Sequence, residues 1–214
     1  SSEATKITIQ HFQRDYEINQ EFQRDLLLEK KEYFKQAFKM KMNFLSALHA
    51  LENQFFDKFQ QICLENYRKK KDYFQKHFET LVASRKPRKT TNFSPKKHDL
   101  NPHGLRKSFK QEKQRLIDSI SQRKEELMNE QRKACELEEL KLKNRLLLLE
   151  SSHTINELRC EYEMEIKIHQ EKKIVPDFEE LRKKYMEPVL RVRSSSLGKF
   201  ETLGNQSKKL ESKT

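Results

Sequence analysis

Residues that make turns are scarce in this chain. Three glycines and five prolines occur among 214 residues, and the first proline is Pro87, so residues 1–86 contain neither of the two residues that punctuate turns. A fold of many short elements is thereby excluded. Cysteine is scarce too: Cys63, Cys135 and Cys160 are odd in number and far apart, which argues against a disulfide framework and for a reducing compartment. Long apolar runs are missing. The longest pure leucine run is Leu146 to Leu149, far short of the roughly 18 residues a membrane span needs, and Ser1-Ser2-Glu3-Ala4-Thr5 does not lead into an apolar signal core, so no targeting segment is expected.

Chemistry is equally under-provided. Phosphate-binding loops need glycines that let backbone amides approach the ligand, and Gly104, Gly198 and Gly204 form no G-x-G or Walker pattern. No C-x-x-C, H-E-x-x-H or H-x-x-x-H spacing occurs. Glu150 and His153 form one E-x-x-H, without the second that a di-iron bundle requires. His98 and His103, five apart, fit pH-dependent positive charge better than ligation. Glutamates stand in salt-bridge spacing with Lys and Arg rather than in a closed pocket that would raise a carboxyl pKa. The expectation is a non-enzyme with no catalytic residue, no cofactor and no metal.

What is abundant is charge, at 36% of residues against 34% hydrophobic, with apolar residues recurring throughout. That composition is one of long helices or coiled coils rather than of disorder. From Lys6 to Ala83 apolar residues recur at intervals of three, four or seven: Phe12, Tyr16, Phe34, Phe38, Phe44, Leu48, Leu51, Phe55, Phe59, Ile62, Phe74, Phe78 and Leu81. Ten of the 14 phenylalanines lie between Phe12 and Phe78, a bulkier stripe than a slim dimeric coiled coil uses. A second periodic segment starts at Leu105 and carries Phe109, Leu116, Ile120, Leu127, Ala134, Leu137, Leu140, Leu147, Ile155, Leu158, Tyr162 and Ile166, with a break plausible at Ser151-Ser152-His153-Thr154. No internal repeat of fixed period stands out.

The fold class expected is all-α. Residues 1–83 form a long Phe-rich helix, 84–104 a basic Pro-containing linker, 105–175 a long Leu-rich helix, 176–188 a short helix opened by Pro176-Asp177 and halted before Pro188, and 189–214 a flexible basic tail. The two long helices can pair as a hairpin or part company. Stripes this long cannot be covered by one another alone, so the chain needs partner helices, other subunits or itself. The residues expected to meet them are Phe44, Leu48, Leu51, Phe55, Phe59, Ile62, Ile120, Leu127, Leu140, Leu147 and Leu158.

Net charge is +12, and its distribution is informative. Residues 1–83 carry 14 basic and 12 acidic side chains and residues 105–175 carry 16 and 14, so both helices are nearly neutral. Residues 84–104 carry six basic and one acidic. Arg85, Lys86, Arg88, Lys89, Lys96 and Lys97 therefore read as a solvating loop, a nuclear-import signal, or a contact for a polyanion, whether nucleic acid, acidic tubulin tails or anionic lipid. Ser94-Pro95-Lys96-Lys97 resembles histone-tail elements that bind the DNA minor groove, and equally a proline-directed kinase site. Ser194, after Arg191-Val192-Arg193, resembles a basophilic kinase site. Arg68-Lys69-Lys70-Lys71 wraps all faces of the first helix, which sends one cation toward the apolar stripe.

Leu51-Glu52-Asn53-Gln54-Phe55 with the basic helix after it, and Phe109 to Arg132, resemble helical subunits of histone-deacetylase corepressors. Any coiled coil supplies such a pattern, and no family residue is carried over. The function expected is a non-catalytic helical scaffold subunit of a multiprotein assembly, nuclear and chromatin-associated, without membrane insertion. The alternative is a cytoplasmic, cytoskeletal or axonemal microtubule-associated coiled coil. A membrane-curving dimer would want cations on one helix face, which neutral helices lack.

Overall fold

A computed structural model describes residues 2–84 and 102–212, and among them the chain is helical with no strand. Helix α1 spans Glu3–Ser84, 82 residues, and helix α2 spans Pro102–Lys172, 71 residues. The C-terminal part is one helical run: a first turn, α3, at Phe178–Leu181, a π-turn at Arg182–Met186, and α4 at Glu187–Glu211. The expected linker cations, Arg85, Lys86, Arg88, Lys89, Lys96 and Lys97, and Ser94 lie outside the described residues.

The periodicity is more regular than intervals of three, four or seven suggest. Along α1 every eleventh residue, Phe12, Gln23, Phe34, Leu45, Phe56, Tyr67 and Phe78, is half-buried or buried. Along α2 the same holds for Phe109, Ile120, Gln131, Leu142, His153 and Met164, and for Leu105, Leu116, Leu127, Glu138, Leu149 and Cys160. An internal repeat of fixed period is therefore present. Eleven residues make three turns at about 3.67 per turn, so a seam with this repeat drifts more slowly along the helix than a heptad seam and in the opposite sense, and a slight right-handed coiling keeps it on one face.

Two compact units result, Ser1–Leu45 with Arg132–Thr214, and Ser46–Gln131. In the first, α1 and α2 run antiparallel: Arg24 pairs with Glu157 at 3.6 Å, Lys31 with Glu150 at 2.7 Å and Lys41 with Glu138 at 2.9 Å, while the Arg145 guanidinium sits 5.4 Å over the Phe34 ring. In the second, Gln131 donates to Glu52 at 2.9 Å, Arg123 lies 5.8 Å over Phe59, Tyr67 donates to the Phe109 carbonyl at 2.7 Å and Lys70 pairs with Glu112 at 2.5 Å. That pair too is antiparallel. Tyr67, Phe109 and Ile120 are its buried apolar side chains, and the Tyr67 and Phe109 rings meet edge-on at 6.5 Å.

Four boundaries differ from the sequence reading. Helix α2 begins at Pro102, not at residue 105, because a proline in the first helical turn forfeits an amide that has no partner there anyway. It runs unbroken through Ser151-Ser152-His153-Thr154, where Thr154 bonds the Glu150 carbonyl and the Ser151 hydroxyl meets that of Ser196. It ends at Lys172, with Lys173 at φ 56°, the Lys173 amide on the Gln170 carbonyl and the Ile174 amide on that of His169, a cap that usually takes glycine. Finally, Pro188 does not halt the third helix, and 189–214 is not an irregular tail.

Asp177 starts that third helix by accepting from the amides of Glu179 and Glu180. Within it the π-turn sends the Glu187 amide five residues back, to Arg182, immediately before Pro188, which has no amide to give. The helix survives its serines and glycines because it has a seat. Leu181, Val192 and Leu203, and Tyr185, Ser196 and Ser207, are half-buried or buried at the same eleven-residue spacing. On α2 their counterparts are Leu140, Ser151 and Tyr162: Leu140 lines a hollow with Leu210, Ser151 meets Ser196, and the Tyr162 and Tyr185 rings stack edge-on at 5.7 Å. Eleven and 22 residues upstream of Leu140 that face carries Asn129 and Asp118, so the seat exists only in the first unit.

Gly198 and Gly204 each have open space where a Cβ would stand. Gly198→Ala and Gly204→Ala should therefore each raise stability by about 0.5–1 kcal/mol and increase the helical dichroism; were residues 189–214 irregular, neither change would appear.

The seat also carries a pH signature. Tyr185 donates to the Glu165 carboxylate, which Lys184 also contacts at 2.8 Å. Burial pushes the Tyr185 phenol up, and the bond to Glu165 adds to it, to about 12. Burial alone would raise Glu165, but the bonds from Lys184 and Tyr185 outweigh it and hold the carboxyl below its ordinary value. A phenol whose pKa is raised on folding contributes fully below its unfolded value of about 10 and loses that contribution up to about 12. The carboxylate contributes above its ordinary pKa and loses its part as pH falls through the lowered one. Docking of the C-terminal helix should be flat between these edges; the bonds to Glu165 and Tyr185 raise Lys184 as well, so Tyr185→Phe should shrink the alkaline edge in a pH series of thermal melts and leave the part that Lys184 contributes.

Candidate partner-binding face

A flank of α1 beside its seam with α2 carries a row of apolar surface, and Arg123 of α2 reaches over one member of it, Phe59. In the second unit Leu48, Leu51, Phe55, Phe59 and Ile62 are 38%, 53%, 70%, 41% and 57% exposed. Leu51, Ile62 and Tyr73 again stand eleven apart, so these residues form a second ladder beside the first on one continuous helix. In the first unit Ile18, Phe22, Tyr33, Met40 and Phe44 occupy the same positions of the repeat and are likewise exposed. Scattered exposed apolar residues need no explanation; a contiguous row of large ones does.

The surroundings of the row in the second unit are poor in charge. Between Ser46 and Leu64 the only charged side chains are Glu52, Asp57 and Lys58, in a chain that is 36% charged. Glu52 is taken by Gln131. Ser46, Ala47, Ala50, Asn53, Gln54 and Gln61 supply the remainder, and it is the scarcity of charge around large apolar side chains that matches the middle of an interface.

The eleven residues expected to meet partner helices divide into two groups. Phe44, Leu48, Leu51, Phe55, Phe59 and Ile62 are exposed. Ile120 is buried and Leu127 half-buried at seam positions of α2, so the chain's own α1 occupies them. Leu140 and Leu147 line hollows with α4 residues, Leu210 and Leu203 among them, and Leu158 is half-buried. For Leu140 and Leu147 the partner helix is intramolecular, because residues 189–212 supply it. Ser194 is exposed on α4, so its basic neighbours stand on a helix and not on a free strand.

Positive charge gathers at one place in the second unit. A hollow of about 540 Å³ has Tyr67, Phe78, Leu105 and Phe109 as its apolar lining and Lys71, Arg106, Lys110 and Lys113 around it, against one acid, Glu79. Of the Arg68-Lys71 run, Lys69 pairs with Glu65 at 2.8 Å and Lys70 with Glu112, so Lys71 is the member turned to the apolar hollow. Sequence reading had the run but not the hollow, because Arg106, Lys110 and Lys113 join it only once α2 folds back.

Among the described residues no group of three His, Cys, Asp or Glu side chains could hold a metal ion. His153 instead meets Glu157 at 3.2 Å, and Glu150 pairs with Lys31. No described helix is long and apolar enough to cross a membrane. Comparison with protein-family models, with curated protein sequences and with solved structures finds no match for this chain.

The seam between α1 and α2 and the exposed row of α1 make opposite predictions. In the dilute, monomeric chain Ile120→Ala, at the buried seam, should cost about 2–5 kcal/mol, whereas Phe55→Ala, on the exposed row, should stay within about 0.5 kcal/mol of wild type. Urea denaturation of both variants checks it; equal losses would mean that the exposed row is not free.

Proposed function

We propose that the protein is a non-catalytic helical scaffold, a subunit of a multiprotein assembly that offers the exposed row of α1 to a partner helix and its basic segments to a polyanion. The single observation that carries this reading is the charge-poor row from Leu48 to Ile62, too regular and too bulky to be incidental surface. The six cations between Arg85 and Lys97, and the cluster of Lys71, Arg106, Lys110 and Lys113, support the polyanion contact. The assembly is nuclear and chromatin-associated, with DNA as the polyanion, which the two basic clusters and Ser94-Pro95-Lys96-Lys97 favour.

Parallel cosedimentation with DNA, microtubules and anionic liposomes tests the address. Binding to DNA alone supports the nuclear reading; binding to microtubules alone replaces it with the cytoskeletal one. Replacing Arg85, Lys86, Arg88, Lys89, Lys96 and Lys97 by Gln should weaken binding and flatten its dependence on salt by about 0.9 in log–log slope per duplex phosphate lost, with helical dichroism unchanged. An unaltered slope would remove the linker from the contact. For the row, Phe55→Ala and Phe59→Ala should each weaken partner binding by up to about 3–5 kcal/mol where the ring is fully enclosed.

A further inference from the structure

We infer that the occupant of the row Leu48–Leu51–Phe55–Phe59–Ile62 is the same row of a second copy of this chain, packed antiparallel. The inference rests on the reading of that row as a helix-binding face and adds who binds there.

Three observations select a second copy. The first is period. A helix that follows this row through several turns must repeat its own apolar positions every eleven residues, since a heptad partner drifts off the stripe by about 20° per heptad; a second α1 brings that repeat by construction. The second is charge. A face shaped for a different partner is usually marked by complementary charges that reject wrong ones. This one has only Asp57 and Lys58 beside the engaged Glu52, so it holds nothing that repels its own copy. The third is area. With a whole aromatic side chain at about 150–250 Å², the exposed parts of these five residues come to roughly 500 Å² per copy. About 1,000 Å² for the pair reaches the lower bound of a specific interface.

Charge also sets the direction. Arg68-Lys69-Lys70-Lys71 follows Ile62 by little more than one turn. A parallel pair would stack the two basic runs side by side; an antiparallel pair sends them to opposite ends. Reversing one row about its middle, Phe55, sets Leu48 opposite Ile62 of the second copy, Leu51 opposite its Phe59 and the two Phe55 side chains against each other, so large side chains stay in contact across the axis.

The test is made on the full chain by light scattering, with helical dichroism as the check on folding. Wild type should show about twice the chain mass of 25.9 kDa. Leu51→Glu with Phe55→Glu, both at exposed sites, should return it to the single-chain mass without loss of helix. With Cys63, Cys135 and Cys160 replaced by serine, a mixture of Leu51→Cys and Phe59→Cys chains should form a mixed disulfide dimer on oxidation, whereas Leu51→Cys alone should not. A wild type that keeps the single-chain mass up to its solubility limit overturns the inference, as does a pair that survives the two glutamates. A disulfide formed by Leu51→Cys alone overturns the antiparallel direction. The helix-binding face itself fails on a different result: partner affinity unchanged by Phe55→Ala and Phe59→Ala.

Discussion

The structure depends on how often its apolar side chains return to the same face. At eleven residues per three turns the return is close to the natural pitch of an α-helix, so α1 and α2 keep one seam in contact with little coiling. Phe12, Phe34, Phe56 and Phe78 mark that seam on α1 and are half-buried, while Phe22, Phe44 and Phe55 stand on the neighbouring row and are exposed. Two apolar rows side by side make a band wider than one neighbouring helix covers. The unpartnered surface is thus a consequence of the same repeat that builds the hairpin.

Where a third helix exists, the same repeat seats it. Leu140, Ser151 and Tyr162 on α2 offer one large, one small and one aromatic side chain, and Leu210, Ser196 and Tyr185 answer them in reverse order. The serine pair lets the backbones approach, and Tyr185 brings a phenol to Glu165 and Lys184 that ties the start of the arm to α2. Asn129 and Asp118 occupy the corresponding sites upstream and cannot bury an apolar helix.

Fold class and helix extent were legible because they rest on local physics: no glycine or proline before Pro87, apolar residues at helical spacing, and a cluster of prolines between the helices. The exposed half of the candidate site was legible for the same reason, since Phe44 to Ile62 is the bulkiest part of the stripe. The inward half was not. Ile120 and Leu127 look like any other stripe residues until α1 is placed against them. The tail was misread because Ser194-Ser195-Ser196, Gly198 and Gly204 have poor helix propensity, and propensity is a weak guide once a packed face is available. The spacing of Leu181, Val192 and Leu203 was the signal that could have found it. The eleven-residue period was hidden by polar members such as Gln23, Gln131 and Glu138, of which Gln131 holds its seam position through a hydrogen bond and Glu138 through an ion pair.

Those polar members suggest how the chain distinguishes its own hairpin from other pairings. The ladder that faces α2 is studded with groups that need specific counterparts: Lys41 with Glu138, Lys31 with Glu150, Gln131 with Glu52, Tyr67 with a backbone carbonyl. Sliding the helices by one repeat would unpair the Tyr67 hydroxyl, the Gln131 amide and the Glu138 carboxylate, at a cost of about 1–3 kcal/mol for a buried group left unpaired, while the exposed Lys41 and Glu150 would find water instead. The exposed row has almost no such groups, so it can accept any helix of matching period. Register within the chain is set by polar pairs, and association beyond it by apolar area and pitch, with the basic run after Ile62 setting direction.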